Sequence, residues 1–428
     1  MIDRINNSSS LAISVQGLGL CSQKMKGHAA NIAASDTVAG APMEFLGVMS
    51  ETSNSGCNID YTRIRHLDQT GAPVESHVPT HFSLLVGSTV SRSAVMVKDE
   101  LTEKFGVTFN GTFAPDKDNI VRNQLGQRLQ VFLTNPNGTT KSANDKSVEN
   151  LETLDLTKVD PIKETTDKAA FFFSLSPDST DPFKTSISVV DSTGKAHNIE
   201  CIWTKLDTAP TLTAGRQVWK INVAAPEDSG IEIDADYANE DGIKVEFDID
   251  GKILGYNPTS ATESSASPPE LGITWDNGAD NSSIALDFSA VRGNGTENRL
   301  NKASLVNGYS TGEYESMHIS EDGFVIVHYS NSKDLKYARI PLAHFNNVNK
   351  LSEGLPGVFQ ATDESGELRI CFPGENGAGR LKAGTYEGCS INPAEVYLKV
   401  IDDQTKHTAN SKMLKAGIDM SKELFQTI

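Results

Sequence analysis

At both ends of the chain, apolar residues recur with alternating spacings of four and three. Between them, short alternating runs are broken by Gly, Asn and Asp. From Leu11 the spacing selects Leu11, Val15, Leu18, Ser22, Met25, Ala29 and Ile32, a seam three heptads long that predicts an amphipathic helix over residues 1–35. At the other end it selects Tyr397, Val400, Gln404, His407, Ser411, Leu414, Ile418, Ser421, Phe425 and Ile428, a second helix over 393–428. Ser390 and Asn392 precede Pro393 at a first helical position, with Glu395 in the first turn, so this helix has a defined start. Gly17, Gly19 and Gly27 each cost the first helix about 1 kcal/mol relative to Ala, a deficit that packing must offset. Two arrangements are open: the helices pair on their own domain, or they order only between copies of the chain.

From about residue 40 to 390 the pattern is that of strands and turns. Thr185 to Gly194 reads as a strand entering a turn. Val245 to Leu254 reads as two alternating runs about Asp250-Gly251, and Met317 to Val327 as two runs about Asp322-Gly323. Ser/Thr/Pro/Gly-rich stretches at 135–168 and 256–283 bracket an inserted outer β domain, 150–300. Its flanks, 76–149 and 301–392, form a discontinuous β-rich middle domain, and 36–75 is a connecting segment. The fold class is therefore mainly β and multidomain, with α-helices at both termini, and 428 residues are long enough for several cores.

Charge narrows the partners. Asp plus Glu number 56 against 38 Lys plus Arg, a formal net charge of −18 that repels nucleic-acid backbones and anionic lipid. No run approaches the roughly 20 apolar residues that span a bilayer, so neither nucleic acid nor membrane insertion is expected. The five cysteines, Cys21, Cys57, Cys201, Cys371 and Cys389, are scattered and form no CxxC pair. The first ten residues lack the basic start and apolar core of a cleaved signal peptide, so the expected compartment is the cytoplasm or one reached by an export route that reads no such peptide.

Candidate chemistry is sparse. There is no HExxH, GxSxG or Walker A sequence, and the nine histidines show no ligand spacing. The loop Gly374 to Gly379 lacks the Lys-Ser/Thr that would contact phosphate and carries the repelling Glu375. Asp234, Asp236, Glu240, Asp241, Asp248 and Asp250 do not match an EF-hand and read as a solvated turn face. Asp116, Asp118 and Asn119 read as a polar hairpin tip. Trp203, Trp219 and Trp275 fall in strand-like stretches and read as core. No catalytic residue, cofactor site or metal site is expected.

Several longer segments occur in a telling order. Asn31-Ile32-Ala33-Ala34-Ser35-Asp36-Thr37 is similar to an Asn-Ile-Ala-Asn-x-x-Thr motif, with Ala34 in place of the second Asn. Phe113 to Gln130 is similar to a Phe-x-x-Asp…Asn-x-x-Gly-x-x-Leu-Gln hairpin. Asp191-Ser192-Thr193-Gly194-Lys195-Ala196-His197, then Asn307-Gly308-Tyr309 to Gly312, Ile340 to Asn347 with Leu351, and Thr362 to Gly366 follow. Glu387 to Asn392 and Gln404 to Lys412 come last, with His407 where Tyr is usual. Together these segments, spread over nearly the whole chain, resemble the bacterial flagellar axial proteins, the family of rod, hook and hook-filament junction subunits. The outer insert and the Asp191 to His197 strand point within that family to the hook.

The resemblance implies a structural subunit that polymerises into a flexible tubular joint transmitting torque from rod to filament. It would be exported by the flagellar type III apparatus without a cleaved signal peptide and located extracellularly in the basal body and hook. Implied partners are further copies of the chain, the distal rod, the hook cap and the hook-filament junction proteins. The terminal helices would pair as a coiled coil in the polymer, through Leu11, Val15, Leu18, Met25, Asn31, Ile32, Tyr397, Val400, Gln404, His407, Asn410, Leu414, Ile418, Phe425 and Ile428. A distal-rod-type subunit and a secreted carbohydrate-binding β protein are the alternative readings.

Overall fold

The computed structural model describes residues 2–52, 56–85, 92–141, 147–206, 216–226, 230–238, 242–260, 263–268, 270–375 and 378–426. The chain divides into two compact units, Met1–Val159 with Ser316–His328 and Asp334–Ile428, and Asp160–Glu315 with Tyr329–Lys333.

The first unit contains both long helices, Ile2–Ala33 and Pro393–Gln426, which pack against each other. A two-stranded hairpin, Met43–Thr52 and Gly56–Arg65, follows the first helix, with Met43 opposite Arg65 and Val48 opposite Asp60. This hairpin occupies much of the stretch expected only to connect. The β body is built on neighbouring strands in the order Phe324–Tyr329, Asp334–Arg339, Arg128–Leu133, Ala94–Lys98, Phe105–Thr108, Val358–Gln360 and Ser352–Leu355. Ala94-Val95-Met96-Val97 is a continuous apolar run because it is buried on both faces. Its core includes Met96, Val107, Phe109, Phe132, Phe345, Phe359 and Phe372, with Phe132 edge-on to Phe372 at 5.9 Å. Asp116, Asp118 and Asn119 do form a hairpin tip: Asp116 Oδ1 accepts from the Asp118 and Ile120 amides at 2.8 and 2.9 Å, and Asn119 takes φ 57°.

The second unit has two sheets. One runs Ile231–Ile233, Leu271–Trp275, Ser282–Asp287, Lys168–Ser174, Arg299–Val306. The other runs Phe183–Val190, Ala196–Lys205, Gln217–Ala224, Ile243–Phe247, Ile253–Ser260, Glu263–Ser265. Alternating side chains of both sheets contribute to one core of Phe171, Phe173, Trp203, Trp219, Tyr237, Phe247 and Phe288, among others. Trp203 stands edge-on to Phe173 at 5.0 Å and to Phe288 at 5.2 Å. All three tryptophans are buried, as a core reading requires. The turn between Phe183–Val190 and Ala196–Lys205 places Gly194 at φ +90°, and the turn after Ile243–Phe247 places Gly251 at φ +75°, backbone conformations that favour glycine.

Candidate assembly site at the terminal helices

The C-terminal helix begins where its start signals lie. Asn392 Oδ1 accepts the Ala394 amide at 3.1 Å, capping the helix, and Glu395 sits in the first turn near the positive end of the macrodipole. The first helix ends at Ala33, and its last turns are closed by Ser35 Oγ donating to Ile32 O and Thr37 Oγ donating to Ala34 O. The helix exit and the helix entrance are then tied together. The Ala39 amide donates to Glu387 O at 2.8 Å, the Ser390 amide to Gly40 O at 2.9 Å, and the Cys389 thiol to Ala34 O at 3.2 Å. A Cβ on Gly40 would lie 2.5 Å from Thr37 Oγ and 2.7 Å from Cys389 Sγ, so this closure depends on a glycine.

Asn31 has a specific task. Its amide nitrogen donates to Met43 O and its amide oxygen accepts the Met43 N–H, both at 2.8 Å, so one side chain pairs both polar groups of a backbone residue and fixes the start of the hairpin. Gly27 lets the hairpin approach, since a Cβ there would meet the Phe45 ring at 2.8 Å.

Behind this base lies a buried ion pair. Arg92 donates to Glu387 at 2.6 Å, to Leu67 O at 2.8 Å and to Gln69 O at 3.1 Å, while Glu387 also accepts the Gly71 amide at 3.0 Å. Both side chains are almost fully enclosed. Burial pulls the arginine's pKa down and pushes the glutamate's up, and their mutual attraction opposes both effects.

The two helices run antiparallel, as the pairings His28 to Asp403 and Gly17 to Asn410 show. His28 Nε2 lies 2.9 Å from Asp403 Oδ2, with both side chains buried. A Cβ on Gly17 would lie 2.8 Å from Asn410 Nδ2. Cys21 also hydrogen-bonds Asn410; burial, with Asp403 nearby, pushes its thiol pKa up.

Among the described residues no group of three or more His, Cys, Asp or Glu could hold a metal ion, and no helix is long and apolar enough to cross a membrane. Of the residues weighed above for ligand chemistry, Glu240, Asp241, Asn376 and Gly377 lie outside the described residues.

Residues 153–324 match the model of the flagellar basal body protein FlaE D2 domain. The chain is 25% identical over 324 residues to the flagellar hook protein FlgE of Escherichia coli, covering 72% of this chain and 73% of that one. It is 22% identical over 320 residues to that of Brucella suis, covering 73% and 72%. To that of Rhizobium meliloti it is 23% identical over 426 residues, covering 96% of each. The crystal structure of Helicobacter pylori flagellar hook protein FlgE2 aligns with a TM-score of 0.45 at 12% identity, covering 74% of this chain and 99% of that one.

These matches support assignment of the chain to the flagellar hook and rod axial proteins.

The similarity supports the role of a flagellar axial structural subunit. The structure sorts the expected seam residues into two groups. Leu11, Leu18, Met25, Ile32, Val400, His407, Asn410 and Leu414 are half-buried, and Asn31 is buried. Val15, Tyr397, Gln404 and Ile418 are exposed, with Val15 and Tyr397 each at 55% and Ile418 at 41%. The side chain of Phe425, and Ile428 altogether, fall outside the described residues.

Within one chain the two helices meet along a partly different set of positions from the expected seam. On the first helix it runs Leu11, Ser14, Leu18, Cys21, Met25, His28, Ile32, and on the second Val396, Val400, Asp403, His407, Asn410, Leu414, Gly417. Both share every second position with the expected stripe and differ by one residue at the others. The physical cause is residue size and polarity. Ser14, Gly17, Cys21 and Gly417 permit close approach, and Asp403, His28 and Asn410 find polar partners there, whereas the spacing rule followed the larger apolar side chains. The repeat of small or polar residues at Ser14, Cys21 and His28, seven apart, was the available signal.

Proposed function

We propose that this chain is the subunit of the bacterial flagellar hook, polymerising into a flexible tubular joint that transmits torque from rod to filament. The observation that carries this reading is the split character of the helix pair. Its inner seam alternates large apolar residues with small and polar ones, while Val15, Tyr397, Leu398, Ile401, Ile418 and Met420 stand exposed on the outside. Large apolar side chains held in water at helical spacing gain by burial against further copies of the chain, each contributing about 1.5–3 kcal/mol when fully covered. In this reading Val15, Tyr397 and Ile418 belong to the seam between subunits and the helices of neighbouring subunits bundle as a coiled coil. The middle (76–149 and 301–392) and inserted (150–300) β domains make the outer layers.

The subunit would leave the cell through the flagellar type III apparatus and work extracellularly. There it meets the distal rod, the hook cap and the hook-filament junction proteins as well as its own copies. The surface charge of the β domains suits contacts that slide as the joint bends, since exposed ion pairs are individually worth little. Truncation before residue 393 tests the reading: the β units should stay folded and polymers should vanish, and continued polymerisation would contradict it. A distal-rod-type subunit is the second reading, distinguished by electron microscopy of the polymer, which is straight for a rod and curved for a hook.

A further inference from the structure

Five Asn-Gly pairs fall among the described residues: Asn110-Gly111, Asn137-Gly138, Asn277-Gly278, Asn294-Gly295 and Asn307-Gly308. At such a pair the glycine amide nitrogen can attack the asparagine side-chain carbonyl carbon, with no Cβ on the glycine to obstruct it. The fold decides which of the five is able to do so. The glycine nitrogen must be free, its peptide must have room to rotate, and the side-chain carbonyl must be polarised towards attack.

Four pairs fail. The Gly138 and Gly295 amides are engaged, donating to Asn135 O at 2.8 Å and to Leu175 O at 2.9 Å. Gly111 and Gly308 are wedged against their neighbours: a Cβ on the first would lie 1.8 Å from Phe82 O, and on the second 2.2 Å from Thr166 Oγ1. Asn307 is held as well, its Oδ1 accepting the Asp167 and Lys168 amides at 3.1 and 3.0 Å.

Asn277-Gly278 meets every demand. Both residues are exposed, nothing beyond the chain neighbours lies within 4 Å of where a Gly278 Cβ would stand, and the Gly278 amide has no partner among the described residues. Asn277 Oδ1 accepts the Ala279 amide at 3.0 Å, which folds the side chain back over its own peptide link and polarises its carbonyl. Nδ2 donates to Asp191 Oδ2 at 2.7 Å. A departing nitrogen that takes up a proton gains positive charge, and the carboxylate beside it stabilises that charge.

We infer that Asn277-Gly278 is a site of spontaneous deamidation, and that conversion there opens the contact by which Asn277 joins the loop after Trp275 to Asp191. The bond from Gly278 N to Asn277 Cγ forms and the Cγ–Nδ2 bond breaks. The Gly278 amide proton leaves with that nitrogen as ammonia, giving a succinimide. Water then opens the ring at either carbonyl and leaves aspartate or isoaspartate, with no change of oxidation state.

The product replaces an N–H donor by a second carboxylate beside the first, so repulsion takes the place of a hydrogen bond. The same loop is tied to the turn after Asp191 by the Asp280 amide, which donates to Ser192 Oγ at 2.8 Å. Isoaspartate adds a carbon to the backbone and strains that tie too. The inference concerns the second unit alone and holds whether or not the chain polymerises.

The test incubates the full-length native chain at neutral pH and counts aspartate and isoaspartate at each site by peptide mass mapping. Asn277 should convert roughly fivefold or more faster than Asn110, Asn137, Asn294 and Asn307, the scale that one backbone hydrogen bond sets. In the urea-unfolded chain the five rates should come within about twofold of one another, since glycine follows each asparagine. A folded chain in which any of the other four leads, or an Asn277 lead that persists undiminished after unfolding, overturns the site.

The N277D chain carries the product directly. Its second-unit transition should lie below that of the wild type at neutral pH, and the gap should narrow towards about pH 5, where one of the paired carboxylates takes up a proton. An N277D chain as stable as the wild type at neutral pH overturns the link to Asp191. The rate comparison needs no variant, so it decides the site even if N277D fails to fold.

Discussion

Asp191 Oδ2 accepts from His197 Nε2 at 2.9 Å and from Asn277 Nδ2 at 2.7 Å, so one fully buried carboxylate joins the hairpin turn of one sheet to the loop that follows Trp275 in the other. Its second oxygen accepts the Thr193 amide at 2.9 Å, the Thr193 hydroxyl at 2.6 Å and the Lys195 amide at 3.0 Å. The motif from Asp191 to His197 is thereby a clasp with five donors on one acid.

Acid should open this clasp. Burial by itself would raise the Asp191 pKa, but the hydrogen bonds from Thr193, His197, Asn277 and Lys195 more than offset it and hold the carboxyl well below the usual range. The folded value lies below the unfolded one, so the stabilisation is present above the unfolded value of about 3.9 and is lost as pH falls below it towards the folded value. The His197 ring lies 4.6 Å from Trp275, so tryptophan fluorescence reads the site. Wild-type thermal stability should decline below about pH 5, and the D191N chain should start lower and decline less. An unchanged acid slope in D191N would place the acid sensitivity elsewhere.

Asn31→Ala removes both hydrogen bonds to Met43 and leaves a backbone donor and acceptor unpaired. The expected cost is about 1–3 kcal/mol, concentrated at the hairpin Met43–Arg65 rather than in the β body. Amide exchange should show Met43 losing protection while Val95 and Met96 keep theirs. Equal loss at all three would contradict a local role.

Arg92→Met leaves the Glu387 carboxylate buried opposite an apolar group and should destabilise the first unit by about 3–5 kcal/mol. The double variant R92M/E387L removes the charge as well and should recover most of that loss. Denaturant midpoints of the wild type, the single and the double variant form the comparison; a double variant as unstable as the single would show that the hydrogen bonds to Leu67 and Gln69, not the charge, set the cost.

Trp203→Ala empties a site walled by Phe173 and Phe288 and should cost the second unit about 3–5 kcal/mol. The transition of that unit, followed through Trp219 and Trp275, should move to lower temperature, while the protection of Met96 in the first unit stays unchanged. A shift in both would mean that the units unfold as one.

Much of this architecture was legible from local patterns. The turns around Asp191 to Gly194, Asp248 to Gly251 and Ser320 to Gly323 are written in residues that adopt positive φ or bond their own backbone, so sequence alone places them. The buried tryptophans follow from size and strand context. The start of the C-terminal helix follows from Asn392-Pro393. What was not legible depends on partners distant in sequence. Nothing near Asn31 announces that it will pair with Met43 O and N–H, and nothing near Arg92 announces Glu387. Within one chain the antiparallel helices meet where Gly17 and Cys21 face Asn410 and His28 faces Asp403, contacts of closeness and polar complementarity that a rule weighing side-chain hydrophobicity does not see.

The small and polar residues that alternate with large apolar ones between the helices have a calorimetric consequence. Separating them exposes less apolar surface than opening the Phe- and Trp-filled sandwich of the second unit, so the heat-capacity increment of that step is the smaller of the two. Cold therefore weakens the sandwich more than it weakens the grip of one helix on the other, and the free energy of the helix pair curves less with temperature.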